Sequence, residues 1–484
     1  MYTISYCFYV TSQVTFLYLL LKNMEDIVVN KLKEYLNNVN GVIHTTLNPN
    51  GPGVVRIHLV PPKKPKLGVP WVIILNGQDV LPLNTGWAIL LSEFISEANR
   101  TNGKPLTDKE IKILINKTIS QVRKVFPKTS RDILMEDLKD IVNTLTNIAK
   151  GIEPSVEIGY MTLAQYSKYM RAPHRMDLMV SSMVKDNCWN CNQKCIHCYA
   201  SNQELAVVEE LSTDEWKKII NKCKDAYIPQ LTFTGGEPTL REDLVELVKY
   251  ASWFVTRVNT NGIKLSKSLC NELYEASLDS VQVTLYSNNK EIHNQLVGAN
   301  HFDETVAGIK NALAAGLNVS INTPLCDLNK EYLDTVKFAK NLGVRYFSCS
   351  GLILTGNAKD DTSAITRLNK EELLDILKQV VNFCHDNELE ISFTSPGWIK
   401  EEDLKELKLI VPSCGACLSN MAIAPNGEVI PCQSWLSDRS IGNLLTDSWK
   451  NIWESKKCKT IRKQSAKMAQ VCPLSKRTIM EENN

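Results

Sequence analysis

The chain has 484 residues, 44% of them hydrophobic and 22% charged, an ordinary globular composition spread over more length than one compact core takes, so two or three domains are expected. Its 55 Lys and Arg against 53 Asp and Glu leave no overall field that would draw nucleic acid or an anionic membrane, and neither is expected as a partner. Fifteen cysteines, an odd number with several clustered, argue against a secreted disulfide framework and for metal–thiolate sites in a reducing cytoplasm.

The chain opens with MYTISYCFYVTSQVTFLYLLLKN, apolar enough to suggest a signal or anchor. It has no basic n-region and no clear cleavage site, and its apolar part falls short of the ~20 residues a spanning helix needs. Met24 begins a more ordinary amphipathic stretch, MEDIVVNKLKEYLNN, and is read as an alternative start. No function is assigned to residues 1–23.

Residues 24–150 form the first module. In VPWVIILNGQDVLPLN, Asn76–Gly77 sits between two apolar runs, the pattern of a two-residue hairpin. Helical segments follow over TGWAILLSEFISEANR, TDKEIKILINKTISQVRKVF and DILMEDLKDIVNTLTNIAKG, the last ending at Gly151. A small sheet followed by a few helices makes a compact α+β module.

Residues 173–400 alternate short β-rich runs with amphipathic helices. The strand candidates are DLMVSSMV, QLTFTGG, VTRVNTNG, SVQVTLYS, NVSINTP and RYFSCSG. One intervening helix starts with a capping box, Ser212 to Glu215, and places Trp216, Ile219, Ile220 and Cys223 on one face. Another, NKEYLDTVKFAKNLG, stops at Gly343. Six βα units in series predict an α/β fold with a parallel sheet, a partial or full barrel. Chemistry in such folds collects at the C-terminal ends of the strands. A cysteine cluster follows the first strand and GGEP follows the second, so both fall on that rim.

Residues 410–484 are cysteine-rich, with Cys414, Cys417, Cys432, Cys458 and Cys472. MAIAPNGEVIPC reads as an Asn-Gly hairpin that brings Cys417 and Cys432 near each other.

The densest chemistry is CWNCNQKCIHCYA, residues 188–200. Cys191, Cys195 and Cys198 form C-x3-C-x2-C. Three thiolates on one loop can hold three corners of a [4Fe–4S] cube and leave one iron open, whereas a closed zinc site wants four ligands. His197 as a fourth ligand would strain the loop, and three cysteines cannot pair off as disulfides. The spacing by itself leaves zinc open.

This triplet, followed by GGEP at Gly235–Pro238, resembles the radical S-adenosylmethionine (SAM) superfamily over about residues 173–400. The resemblance implies a partial (β/α)6 barrel and a [4Fe–4S] cluster on Cys191, Cys195 and Cys198 that cleaves SAM to a 5′-deoxyadenosyl radical. It also implies that Gly235 and Gly236 let the backbone approach the bound amino acid, and that Glu237 accepts hydrogen bonds from its amino group. Asn261 in NTNG and Thr284 in VQVTLYS match further SAM-contacting positions, with a plain turn as the other reading of Asn261–Gly262. Asn322 is a weaker candidate again, and Tyr199 reads as packing beside the cluster. Cys188 departs from the family pattern and is kept out of the cluster; Cys223, Cys270, Cys326, Cys349 and Cys384 read as buried small hydrophobes.

Cys417-x9-Gly427-x4-Cys432, with Cys414 upstream and IGNLLTDSWKNIWES downstream, is similar to the start of the SPASM extension of radical SAM enzymes. The extension here is short of cysteines. It implies one auxiliary [4Fe–4S] cluster on Cys414, Cys417, Cys432 and Cys472, with Cys458 as a competing fourth ligand and zinc as the alternative metal. The first module resembles the winged-helix RiPP recognition element, which captures the leader of a ribosomally made peptide as an added strand. Together these resemblances imply a radical SAM peptide maturase that binds a precursor peptide through its leader, installs a crosslink or other oxidative modification, and draws electrons from a reductase, flavodoxin or ferredoxin. The alternatives are a radical SAM enzyme of haem or tetrapyrrole biosynthesis and a non-catalytic, metal-holding peptide-binding protein.

Overall fold

The computed structural model describes residues 26–39, 43–47, 55–62, 69–75, 79–101, 106–149, 152, 163–359, 366–437, 440–468 and 471–474. The expectations for residues 1–23 and for the Asn76–Gly77 turn fall outside them. The chain divides into two compact units, Met1–Arg171 and Ala172–Asn484. Among the described residues no helix is long and apolar enough to cross a membrane.

The first unit opens with the helix Asp26–Asn38 and an antiparallel meander of β1 (Ile43–Leu47), β2 (Val55–Val60), β3 (Trp71–Leu75) and β4 (Asp79–Leu83), in that spatial order. Leu75 pairs with Asp79, so β3 and β4 are antiparallel neighbours on either side of the Asn76–Gly77 segment. Period-2 alternation sends Trp71, Ile73 and Leu75 of β3 and Leu81 and Leu83 of β4 to one face, where they pack with Trp87, Leu91 and Ile95. Those last three lie on the helix Thr85–Asn99, whose Asn84 cap accepts the Trp87 N–H at 2.9 Å. The helices Asp108–Val125, started by a Thr107/Glu110 capping box, and Arg131–Ala149 complete that core through Ile119, Val122, Leu138 and Ile141.

In the second unit β5 (Arg175–Ser181) leads into a short hairpin of β6 (Val184–Lys185) and β7 (Cys188–Trp189). Then come β8 (Gln230–Gly235), β9 (Val255–Thr260), β10 (Ser280–Thr284), β11 (Asn318–Pro324), β12 (Tyr346–Ser350) and β13 (Glu390–Phe393), with helices between. All six strand candidates are strands, and β13 adds a seventh. These seven pair in parallel. The C-terminal hairpin of β14 (Asn420–Ile423) and β15 (Glu428–Ile430), with β16 (Gly442–Asn443), continues the sheet, because β14 lies parallel to β5. Among the described residues the sheet runs β13-β12-β11-β10-β9-β8-β5-β14-β15-β16, an open, partial barrel with the cysteine-rich hairpin on the β5 side.

Alternation along β10 buries Val281 and Val283 completely and leaves Ser280, Gln282 and Thr284 on the other face. That face is polar. Gln282 donates to Ser348 Oγ at 3.2 Å, Ser348 donates to Asn322 Oδ1 at 2.9 Å, and Arg257 Nε donates to Ser280 Oγ at 3.1 Å. A fully apolar interior would not need these partners; this one suits a polar ligand.

Candidate active site

The cysteine loop leaves the β6–β7 hairpin, whose turn residues Asp186 and Asn187 both have positive φ, the backbone of a type I′ turn. The turn leaves Cys188 exposed on β7. Beyond it, Asn190 is tied back through its N–H to Met183 O at 2.9 Å and through its side chain to Ser182 O at 3.0 Å. Lys194 N–H and Ile196 N–H donate to Val297 O and Leu296 O, both at 3.0 Å, at the end of the helix Lys290–Val297. Cys195 therefore sits in a stretch of backbone fixed on both sides.

Cys191, Cys195 and Cys198 are each partly accessible and close enough to influence one another. Burial, then the charges of Glu237 and Cys198, push the Cys191 thiol up to about 12. Burial, then Cys198 and Cys191, push Cys195 well above the ordinary thiol value, and burial raises Cys198. Metal binding must therefore displace protons from this loop. Asn192 Nδ2 and Gln193 Nε2, between the first two cysteines, are buried donors with no hydrogen-bond partner among the described residues. Such donors fit the sulfur and carboxylate acceptors that a cluster with SAM would bring.

Gly235 and Gly236 bring the end of β8 against β5. Gly235 has φ +134, and a Cβ there would lie 2.2 Å from Ser181 O; only glycine fits. Cys191 Sγ lies 3.6 Å from Gly236 O, so GGEP and the cysteine loop meet. Glu237 is buried, 1% exposed, and works as a staple. Its Oε1 accepts from Thr239 N at 3.0 Å, Thr239 Oγ1 at 2.5 Å and Thr260 Oγ1 at 2.6 Å, and its Oε2 from Asn261 N at 2.8 Å. Burial pushes its pKa up and these donors oppose the push. Asn261 is both turn and link: Oδ1 accepts Ile263 N–H at 3.1 Å, while Nδ2 donates to Asn192 Oδ1 at 2.6 Å.

Thr284 stands at the C-terminal end of β10, paired with Asn322 across β11. Its side chain makes no hydrogen bond among the described residues, so it is on the polar face without a tie to the cysteine loop. His197 shares a 2.9 Å hydrogen bond with Thr366. Thr239, Thr260, Thr366 and Asn192 were not individually singled out from the sequence; Thr260 lies within NTNG, Thr239 directly follows GGEP and Asn192 lies between two of the cysteines, so motif proximity could have flagged these three, while Thr366 carries no such signal.

The C-terminal thiols also converge. Cys417, at φ +54, donates its N–H to Pro431 O at 3.1 Å beside Cys432. Burial, then Cys472 and Cys414, raise the Cys432 pKa. Cys417 is hydrogen-bonded to Cys458, and that bond, reinforced by Arg462, holds the Cys458 thiol below its ordinary value. Arg462 Nη1 donates to Cys458 Sγ at 3.6 Å, and its guanidinium lies 3.7 Å from the Trp453 ring centroid. Cys414 Sγ is 3.7 Å from Ser465 Oγ. All five C-terminal cysteines are thus in one neighbourhood, while no three His, Cys, Asp or Glu side chains among the described residues converge on a single ion's position. Cys223, Cys270, Cys326, Cys349 and Cys384 are all buried.

Comparison with known proteins places this geometry. Residues 190–339 match the family model of the radical SAM superfamily, and residues 414–474 match that of an iron–sulfur cluster-binding domain, SPASM. The AdoMet-dependent heme synthase of Oleidesulfovibrio alaskensis is 26% identical over 282 residues, 54% of this chain and 72% of that protein. The mycofactocin maturase MftC of Mycolicibacterium smegmatis is 29% identical over 277 residues, 54% of this chain and 67% of that protein. The sporulation killing factor maturation protein SkfB of Bacillus subtilis is 29% identical over 287 residues, 56% and 67%. Streptococcus suis SuiB, solved bound to its precursor peptide SuiA, shares the fold, with a TM-score of 0.55 over 84% of this chain and 92% of SuiB at 15% identity. The cysteine loop and GGEP turn that meet at the rim of the parallel sheet thus lie in a radical SAM domain over residues 190–339, which implies a [4Fe–4S] cluster and SAM, and the thiol-rich hairpin on its flank lies in an iron–sulfur-binding SPASM domain over residues 414–474.

Proposed function

We propose that this enzyme modifies a ribosomally made precursor peptide, held by its leader on the first unit while the barrel acts on the core. The observation that carries the reading is the four-stranded antiparallel meander ahead of the barrel, which offers an edge for strand addition. The peptide-maturing relatives MftC and SkfB, and SuiB in its complex with SuiA, support the same reading.

In this reading Cys191, Cys195 and Cys198 hold the SAM cluster, and Gly235, Gly236, Glu237, Asn261 and Thr284 surround SAM. Cys414, Cys417, Cys432 and Cys472 hold one auxiliary [4Fe–4S] cluster. When bound, the SAM cluster and SAM supply a 5′-deoxyadenosyl radical for hydrogen abstraction, and the auxiliary cluster an electron acceptor or a thiolate-binding iron. The protein's own part is to fix the loop, present a polar barrel face to the ligand and keep water from the radical. The electron donor is a reductase, flavodoxin or ferredoxin, and the setting is the reducing cytoplasm.

A second reading, tetrapyrrole side-chain chemistry, draws on the heme synthase relatives. The test is anaerobic reconstitution of the full chain with dithionite and SAM, followed by incubation with short peptides encoded beside its gene or with iron-coproporphyrin. Peptide-dependent 5′-deoxyadenosine with a mass change in the peptide is expected. Turnover with the porphyrin alone would overturn the peptide reading.

A further inference from the structure

The cysteine loop is gripped from two sides, and the grips lead to different places. On the barrel side, Asn357 in the loop after β12 donates its N–H to Cys198 O at 3.0 Å and its side-chain amide to Cys195 O at 3.2 Å. Gly356 makes the approach possible: it has φ +57, and a Cβ would lie 2.3 Å from Cys198 O. On the other side, buried Gln203 donates Nε2 to Tyr199 O at 2.5 Å and to Ser434 O at 3.4 Å. Tyr199 follows Cys198, and Ser434 is two residues past Cys432.

Two further observations join the same segments. Leu205 N–H donates to Leu436 O at 2.8 Å. Ala200, Leu205, Ala422, Ile430 and Leu436 share one core, against which Cys191, Cys198 and Tyr199 pack.

We propose that Gln203 is a positioning residue that couples the SAM-cluster loop to the auxiliary-cluster loop, so that the state of the auxiliary site is felt at the SAM cluster. This rests on the reading of Cys198 and Cys432 as ligands of the two clusters. The chain from Cys198 through Tyr199 O, the Gln203 amide and Ser434 O to Cys432 is short, buried and hydrogen-bonded, and such a path transmits a shift in one loop to the other. Asn357 holds the same cysteine loop and also accepts from Asn202 Nδ2 at 3.2 Å; replacing it loosens the loop while leaving the Gln203 amide in place, which makes it the control.

The test is a double-mutant cycle on the reconstituted full-length enzyme, read by electron paramagnetic resonance redox titration of the SAM cluster. Cys432→Ser is introduced into wild type, Gln203→Met and Asn357→Ala; methionine keeps the volume and removes the donor. In wild type and in Asn357→Ala, Cys432→Ser should change the ratio of reduced to oxidised SAM cluster at fixed potential by about fivefold. In Gln203→Met the same substitution should change it less than about twofold. Equal changes in all three backgrounds, or none in any, would overturn the coupling. If Cys432→Ser does not fold, Cys472→Ser takes its place in the cycle. Should Cys432→Ser leave iron content unchanged, the ligand reading itself fails, and the coupling falls with it.

Discussion

Glu237→Gln tests whether the carboxylate of GGEP is a structural staple in its own right. The carboxylate receives three donors on Oε1 and one on Oε2. A glutamine must turn one of these oxygens into an NH2 group. The two threonine hydroxyls can rotate away, but the backbone N–H groups of Thr239 and Asn261 cannot, so one of them faces a second donor in either orientation. The less costly orientation keeps the oxygen toward Thr239 and strands the Asn261 N–H. Losing a hydrogen bond to a charged group and leaving a buried donor unpaired costs about 3 kcal/mol. The neutral amide is easier to bury, and burial already pushes the Glu237 pKa up, which offsets about 1 kcal/mol. The remaining ~2 kcal/mol corresponds to roughly a 30-fold rise in local opening. Hydrogen exchange of the cofactor-free full chain reads this directly: amides of 259–263 should exchange about 30-fold faster in the variant, with β11 unchanged. Exchange within twofold of wild type at 259–263 would show that the four bonds do not hold the turn.

Gly235→Ala should cost about 3–5 kcal/mol, from positive φ and from a Cβ 2.2 Å from Ser181 O, and a urea midpoint equal to wild type would refute the close approach. In the first unit, burial, then His44 and Arg56, push His58 down to about 3, so its contribution is intact above the unfolded value near 6.5 and falls as the pH drops, by about 2 kcal/mol at pH 5. Asp137 is raised to about 6 by burial, with Trp87 opposing and Asp140 and Glu136 adding; it stabilises the fold below about pH 4 and loses about 1 kcal/mol, after screening, as pH rises through 6. His58→Leu should therefore remove the loss of amide protection over Trp71–Leu91 between pH 7 and pH 5, and Asp137→Asn should raise protection at pH 7; unchanged profiles in both would contradict the burial argument. Cys472→Ala should lower iron from about eight to about four per chain and Cys458→Ala should leave it unchanged; the reverse result would move the fourth auxiliary ligand to the helix Lys456–Lys467.

The strands were legible where local pattern sufficed. NVSINTP and SVQVTLYS alternate branched apolar with polar residues, and they are β11 and β10. β13, with only EISF and one buried residue, carries too little alternation to stand out from the polar stretch around it. The Asn426–Gly427 hairpin was readable from its turn, but not that β14 would extend the barrel sheet beside β5. Nothing near residue 420 encodes a partner some 240 positions earlier, because parallel pairing is settled by packing of the whole sheet.

The thiols show the same division from the side of chemistry. Cysteines within helices and strands, such as Cys223 and Cys349, are fully buried, as expected of small hydrophobes. Those of the 188–198 stretch and Cys432 and Cys472 keep some exposure, because a loop thiol has no neighbours packed on every side. Burial alone does not sort function from filling, however, since Cys414, Cys417 and Cys458 are buried too. What distinguishes these three is polar company: Ser465 beside Cys414, and Arg462 and Cys417 beside Cys458. Cys458 and Arg462 are four residues apart on one helix, so their shared face was readable from spacing. Their meeting with Cys417, across 41 residues and a hairpin, required the fold. A buried thiol beside a guanidinium differs in kind from one among leucines: the cation favours thiolate, which keeps Cys458 as the competing ligand that the Cys472→Ala and Cys458→Ala pair separates from Cys472.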